Sequence, residues 1–336
     1  MRGVVAGLCR RHPIGAMTVF EDTSPTTGSS VQKRQTARLS VISNAALTVL
    51  KLIVVSMSGS ISVLAETVNS VSDLFGSAVA YGAVRAADSP PDRTHEYGHG
   101  KFENLSGMVI GIFILGGGAF ALAGAIQHLV LRQTVRQTTA AIAVMAVSAG
   151  INLLVSRRLV AVGRKLDSPA LLADGKHLRT DVITSCTALA SLVLTHFTGQ
   201  YWIDPLAAIG ITVLIFYIAI QIMRDAIMTL LDASLPEKEE QMLRDALDSD
   251  SRVLGYHKLR TRKSGSQRHV DVHVQIDDSH TFVEAHDFTE QLEEKLRATL
   301  PNVHPIIHTE PFEAEARHQE AERRRQEKLR GDGRGD

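Results

Sequence analysis

The chain has 336 residues, 44% of them hydrophobic and 21% charged, and its 36 basic side chains balance 36 acidic ones. That balance lacks the basic excess of a nucleic-acid binder, so no nucleic-acid partner is expected. Two cysteines, Cys9 and Cys186, provide neither a disulfide framework nor a metal-ligand pair by spacing.

Residues 1–35 are polar and rich in Ser, Thr, Arg and Lys, and read as a disordered cytoplasmic arm without a secretory apolar core. A first span is expected over about 39–57, interrupted by Lys51, and a second over about 62–84, holding Glu66, Asn69 and Asp73. The mean hydropathy of +0.03 hides an uneven charge distribution. Asp, Glu, Lys and Arg are missing from Val109 to Leu131, Thr138 to Ser156, Val182 to Ile203 and Pro205 to Met223. Each run approaches the roughly 20 apolar residues that cross a bilayer. The expectation is an all-α six-helix transmembrane domain over 36–232, in contact with the lipid bilayer of the cell inner membrane. Basic residues gather on one side: Lys33, Arg34 and Arg38 before span one, Arg85, Arg93 and Lys101 after span two, and Arg157, Arg158, Arg164 and Lys165 after span four. Arg132 and Arg136 lie on the other side. By the positive-inside rule both termini are cytoplasmic.

After Asp232 the composition changes. Pro236 to Leu247 reads as a helix with Pro at its first position. His269 to Ile276 alternates as a half-buried strand, Phe282 to Leu300 has helical spacing, and Val303 to His308 reads as another strand. A small α+β cytoplasmic domain over 233–312 fits, followed by a charged tail over 313–336.

The chemistry concentrates on His and carboxylates. Asn69 and Asp73 are four residues apart, and so are His177 and Asp181. On helices each pair lies on one face, and two facing pairs would offer four ligands in a tetrahedral arrangement. Ionisable groups at membrane depth are expensive and mark function. A hydrogen-bonded Asn69–Asp73 pair and a His177 at a wet helix end are the plainer alternatives. Asp92, His95 and His99 lie in the loop after span two; they form either a zinc site or a polar loop near headgroups. The C-terminal domain carries seven histidines between His257 and His308. Strand alternation puts His269, Asp271 and His273 on one face.

The stretches SISVLAETVNSVSDLFGS, EYGHGKFENLSG, ADGKHLRTDVITS and LRTRKSGSQRHVDVHVQID resemble the cation diffusion facilitator family over about residues 33–312. The resemblance implies six transmembrane helices, a ferredoxin-like cytoplasmic domain for metal binding and dimerisation, a homodimer, and export of divalent metal against protons. It implies a transporter and no enzyme. It assigns Asn69, Asp73, His177 and Asp181 to the transport site and Asp92, His95 and His99 to a loop metal site. Lys101 and Asp232 take the places of a charge interlock that holds the dimer together. His257, His273, His286, His308 and Glu310 take ligand positions in the cytoplasmic domain, where Glu310 stands for the usual Asp and Thr309 for a bridging ligand. His269, His280 and His304 read as surface residues.

Zinc exporters of that family carry Asp where this chain has Asn69; its manganese exporters often begin with Asn but tend to have Asp in the His177 place. An imidazole favours zinc, cobalt, nickel or iron over manganese. Zinc, or another divalent transition metal, is the expected substrate and regulatory ligand, with manganese export or a non-transporting metal scaffold as alternatives.

Overall fold

In a computed structural model the described residues are 27–58, 61–131, 139–200, 202–313 and 317. Arg132, Arg136, most of the N-terminal arm and nearly all of the tail lie outside them. Six long helices come first: α1 Thr27–Ser58, α2 Ile61–Ala87, α3 Lys101–Leu131, α4 Thr139–Lys165, α5 Pro169–Thr198 and α6 Ile203–Leu230. The first begins at Thr27, so the last part of the stretch expected as a disordered arm is helical; its Lys33 is buried. Among the described residues α1, α3, α4 and α6 are long and apolar enough to cross a membrane. The two others, α2 and α5, carry Asp73, Asp174, His177 and Asp181.

Small residues bring the helices together. A Cβ on Gly111 would lie within 2.4 Å of Met223 Cγ, and one on Gly118 within 2.7 Å of Phe216 Cε1. These glycines let α3 lie close along α6, as small residues do between helices in lipid. Similarly, a Cβ on Gly175 would meet Val160 and Leu159 of α4. Large apolar side chains such as Phe120, Phe197 and Val213 stay exposed on the outside of the bundle. That pattern suits a lipid solvent, which satisfies apolar surface but no backbone polar group.

The C-terminal part contains α7 Glu237–Asp248, β1 Gly255–Ser264, β2 Gln267–Ile276, α8 Phe282–Thr299 and β3 Val303–Pro311. Pro236 is the N-cap of α7 rather than its first residue, so the helix starts one place later than expected; the extended ψ of 142° cannot belong to the first helical residue. The strands form one sheet in the order β1-β2-β3, β1 antiparallel and β3 parallel to β2. Strand β1 was not anticipated, because GYHKLRTRKS is too charged to alternate as apolar and polar. Helix α8 starts with a reciprocal cap between Thr281 and Glu284. Val270, Val272, Val274 and Ile276 point from one face of β2 toward Leu243 and Leu247 of α7 and Phe288, Leu292 and Leu296 of α8. Each such buried side chain contributes roughly 1.5–3 kcal/mol. The opposite face of the sheet carries mainly polar residues, with Ile306 exposed among them.

The β1–β2 hairpin docks on the bundle. Gly265, at φ 60°, turns the hairpin, and its N–H donates to Asn104 Oδ1 at 3.0 Å. A Cβ on Gly100 would lie 2.6 Å from the Ser264 carbonyl oxygen, so only glycine permits this approach. Lys33 Nζ, buried, bridges Glu103 Oε1 at 3.2 Å and Ser266 Oγ at 3.1 Å. Asp167, between α4 and α5, receives Lys263 at 2.6 Å and Arg268 at 2.7 Å. The sheet therefore sits at one end of the bundle, beside the starts of α1, α3 and α5 and the end of α6.

Candidate metal centres

Three groups of potential ligands form within the described residues, each with ligand atoms within 4.8 Å of one another: Asp73, His177 and Asp181; Asp92, His95 and His99; and His257, His273 and Glu310.

The first lies inside the bundle. Asp73 on α2 and His177 on α5 are buried, and His177 Nε2 stands 3.3 Å from Asp73 Oδ1. Asp181 is one turn along α5, on the same face. His177 Nδ1 is buried without a hydrogen-bond partner among the described residues. One nitrogen and two carboxylates thus converge where water is scarce, a donor set that suits a divalent cation. Asn69 lies on α2 one turn before Asp73; its side chain is outside the described residues.

A cavity of about 400 Å³ reaches these ligands. Its walls include Lys51, Gly116, Gly117, Ala121, Thr184 and Ser185. All lie farther from the sheet domain than His177 does, so the cavity opens toward the opposite end of the bundle. Lys51, which reads in the sequence as an interruption of a span, is buried and donates to Ser70 Oγ at 2.7 Å. It places an ammonium in the same cavity as the carboxylates. Sequence spacing gave no sign of that role.

The second group lies in the loop between α2 and α3. Asp92 Oδ1 accepts from the N–H of Thr94 at 2.8 Å and of His95 at 2.7 Å, closing a tight turn. Bonds from the Thr94 hydroxyl and from these two backbone groups hold the Asp92 carboxyl well below the usual range. His95 Nδ1 and His99 Nε2 approach its two oxygens at 3.5 and 3.3 Å, and the imidazole centroids are 4.6 Å apart. The ionised carboxylate and two imidazoles leave room for a further ligand, as a zinc site would.

The third group uses sheet register. His257 pairs with His273, and His273 with His308, across the three strands on the face away from the helices. His273 Nδ1 is 2.5 Å from Glu310 Oε1, and His257 Nε2 is 3.3 Å from Glu310 Oε2. The latter two atoms are buried and outside hydrogen-bonding geometry, a gap that a cation would fill. Burial opposes ionisation of Glu310, yet the His273 hydrogen bond and the neighbouring imidazoles of His257, His273 and His308 hold its carboxyl below the usual value. His308 Nε2 is 3.6 Å from Glu310, at the edge of the cluster. His286 is not brought into it: its ion-pair partner is Glu290 on its own helix, at 3.5 Å. Both His286 and Glu310 line a separate groove.

Lys101 Nζ meets Asp232 Oδ1 at 2.8 Å, where the bundle meets the sheet domain, and Arg262 lies 3.6 Å from the same oxygen. The Lys101 hydrogen bond holds Asp232 below its ordinary value. His269 and His304, expected as surface residues, stack at 5.7 Å, and Tyr97 stands edge-on to His269. Burial, then the charge of Arg262, pushes His269 down to about 4.

The family model for the cation efflux transmembrane domain matches residues 37–231, and that for the cytoplasmic domain of cation efflux proteins matches 235–312. A cation-efflux pump FieF of Serratia proteamaculans is 35% identical over 265 residues, covering 79% of this chain and 88% of the pump. A pump of the same name from Cronobacter sakazakii is 33% identical over 276 residues, covering 82% and 92%. The metal-bound C-terminal domain of the CzcD transporter from Thermotoga maritima is 20% identical, covering 23% of this chain and 95% of that domain, with a TM-score of 0.22.

Proposed function

The chain belongs to the cation efflux family, whose members are transporters and not enzymes, and from that premise we propose that it exports zinc from the cytosol in exchange for protons. The observation that carries the proposal is the convergence of Asp73, His177 and Asp181 inside the bundle, at the head of a cavity. Asn69 completes the set as a neutral fourth ligand. Its neutrality leaves two formal negative charges, enough to balance one divalent cation. The single imidazole favours zinc, with iron, cobalt or cadmium as further substrates and manganese as the competing choice.

Ligands must lose their protons for metal to bind. His177, an imidazole beside Asp73 and one turn from Asp181, is the proton-coupled ligand: metal from the cytosol displaces its proton, and protons from outside displace the metal. Alternating access moves the site between the two faces. The sheet domain lies in the cytosol with both termini, a reading the loop charges support, and the protein resides in the inner membrane. The described conformation, with its cavity away from the sheet domain, is then the outward-facing one.

Residues 233–312 form the ferredoxin-like metal-binding and dimerisation unit. Zinc held by His257, His273 and Glu310, with His308 beside them, occupies the helix-free face of the sheet; His286 joins once a second copy approaches. Metal there tightens the homodimer, and Lys101–Asp232 fixes the junction. Asp92, His95 and His99 bind cytosolic metal at the entry loop.

The test is transport by the purified full chain in liposomes across zinc, manganese, iron, cobalt and cadmium, with and without a pH gradient, repeated with Asn69→Asp. Zinc flux that depends on the gradient is expected. A manganese preference in the unaltered chain would overturn the metal assignment, and the absence of any flux would favour the scaffold reading.

A further inference from the structure

The bundle buries another acid that the three-ligand cluster does not use. Asp174 lies on α5, three residues before His177 and seven before Asp181. That spacing forms a stripe along one helix face, rising by 1.5 Å per residue and so extending over about 10 Å. Asp174 is fully buried, and neither of its oxygens has a hydrogen-bond partner among the described residues. The Ser40 hydroxyl, equally buried, faces it from α1 close enough to interact, though outside full hydrogen-bond geometry. Its charged neighbours are Asp73 and His177. One hydroxyl compensates a buried carboxyl only in part, which costs stability, and buried charges are normally paired or bind a cation.

The position of the cavity gives this cost a purpose. It reaches Asp73, His177 and Asp181 from the end away from the sheet domain, and Asp174 is not among its walls. Asp174 lies on the other side of His177, in the half of the bundle that is closed in this conformation. A ligand ladder therefore runs along α5, with its distal rungs open and its rung nearest the sheet domain sealed.

We infer that Asp174 is a cation ligand of the opposite conformation, taking the entering divalent ion together with Asp73 and His177 before Asp181 replaces it. The inference rests on the transport reading above. When the bundle opens toward the sheet domain, Asp174 becomes the first carboxylate that an ion from that side meets. Closing that side and opening the other exchanges Asp174 for Asp181 while Asp73 and His177 remain bound. The ion advances along the helix without losing its whole ligand set, and the empty carboxylate is what the present conformation leaves behind.

The test uses the full chain in inverted membrane vesicles, which expose the sheet-domain side, with zinc outside and a zinc indicator inside. Asp174→Asn should raise KM for zinc about tenfold while kcat falls less, as the loss of an entry ligand requires. Asp174→Glu, which keeps the charge, should hold KM within about threefold. Elution as the native oligomer and an unchanged melting temperature check the fold. If the Asn variant misfolds, Asp174→Ser, which can bond Ser40, gives the same reading. An unchanged KM, or a loss confined to kcat, overturns the inference. Misfolding of both neutral variants does so as well, because it assigns Asp174 a structural role. Zinc flux absent from the unaltered chain would instead sink the transport reading on which the inference rests.

Discussion

The bundle site and the sheet-face site use the same chemistry, imidazole plus carboxylate, in opposite settings. In the bundle, Asp73 and His177 are buried, come from two helices and meet at 3.3 Å at the head of a cavity. On the sheet, His257, His273 and Glu310 are half-buried, come from three adjacent strands and lie on a face without covering helices. Desolvation strengthens every charge in the first setting and makes an empty site costly. The second is close to water and tolerates being empty. The difference suits a site that must pass an ion on and a site that only reads its concentration.

The comparison can be broken most directly at Asp181. Asp181→Ala should reduce zinc flux in liposomes by about a hundredfold or more, since even outer partners of metal ligands cost 10–100-fold. The metal-induced rise in melting temperature contributed by the sheet domain should survive. Flux within a few-fold of the unaltered chain would remove Asp181 from the bundle site. The converse substitution, Glu310→Ala, should abolish the part of the zinc-induced stabilisation that the sheet site supplies, about 2.7 kcal/mol at a hundredfold excess over Kd. Calorimetric scanning with and without zinc reads this, and zinc flux at saturating metal should remain. If the two variants give the same pattern, the division of roles between the regions is wrong.

A third substitution sharpens the structural half of the comparison. Arg268 is nearly buried and is held by both oxygens of Glu239 at 2.8 Å. Glu239→Gln should destabilise the sheet domain by about 1–3 kcal/mol in denaturant melts, the usual cost of leaving a buried charge less well paired; Asp167 retains part of the pairing. The Arg268 guanidinium lowers the Glu239 carboxyl from its ordinary 4.5. The sign follows: its contribution is complete above about pH 4.5 and fades as pH falls through the lowered value. The variant should therefore lose this acid-side dependence, and an unchanged acid limb would contradict the assignment. The smallest effect belongs to Lys101 and Asp232. Both are partly exposed, so a double-mutant cycle should return less than about 1 kcal/mol. A larger coupling would mean that the pair is desolvated in the dimer.

Much of this architecture was legible before the structure. Pairs spaced by four residues mark a common helix face, which is why Asp73 stood out, and His177 with Asp181. The short loop triad needed only local chain reversal, which the Asp92 turn supplies. Strand β1 was illegible because its charged side chains hide its periodicity. The meeting of His257 with Glu310 depends on register between strands far apart in sequence. His286 matched a ligand position in the resemblance, yet within one chain it pairs with Glu290 on α8 and stays outside the cluster of His257, His273 and Glu310. Lys33 reads as a basic residue of a polar arm, but the docking of the hairpin buries it between Glu103 and Ser266.

The sequence by itself determined where the apolar runs fall, where polar residues interrupt helices and which side chains share a helix face. These are consequences of helical period and transfer free energy, which act locally. Only the tertiary structure decided which faces meet, which carboxylates lie in a cavity and which are sealed. Asp174 and Asp181 are both acids on one stripe of α5, and nothing local separates them. Asp174 is buried with Ser40 of α1 beside it, while the space beside α3 opens Asp181 to the cavity. Solvent access is a property of the assembled helices, because it depends on what the other chain segments leave uncovered.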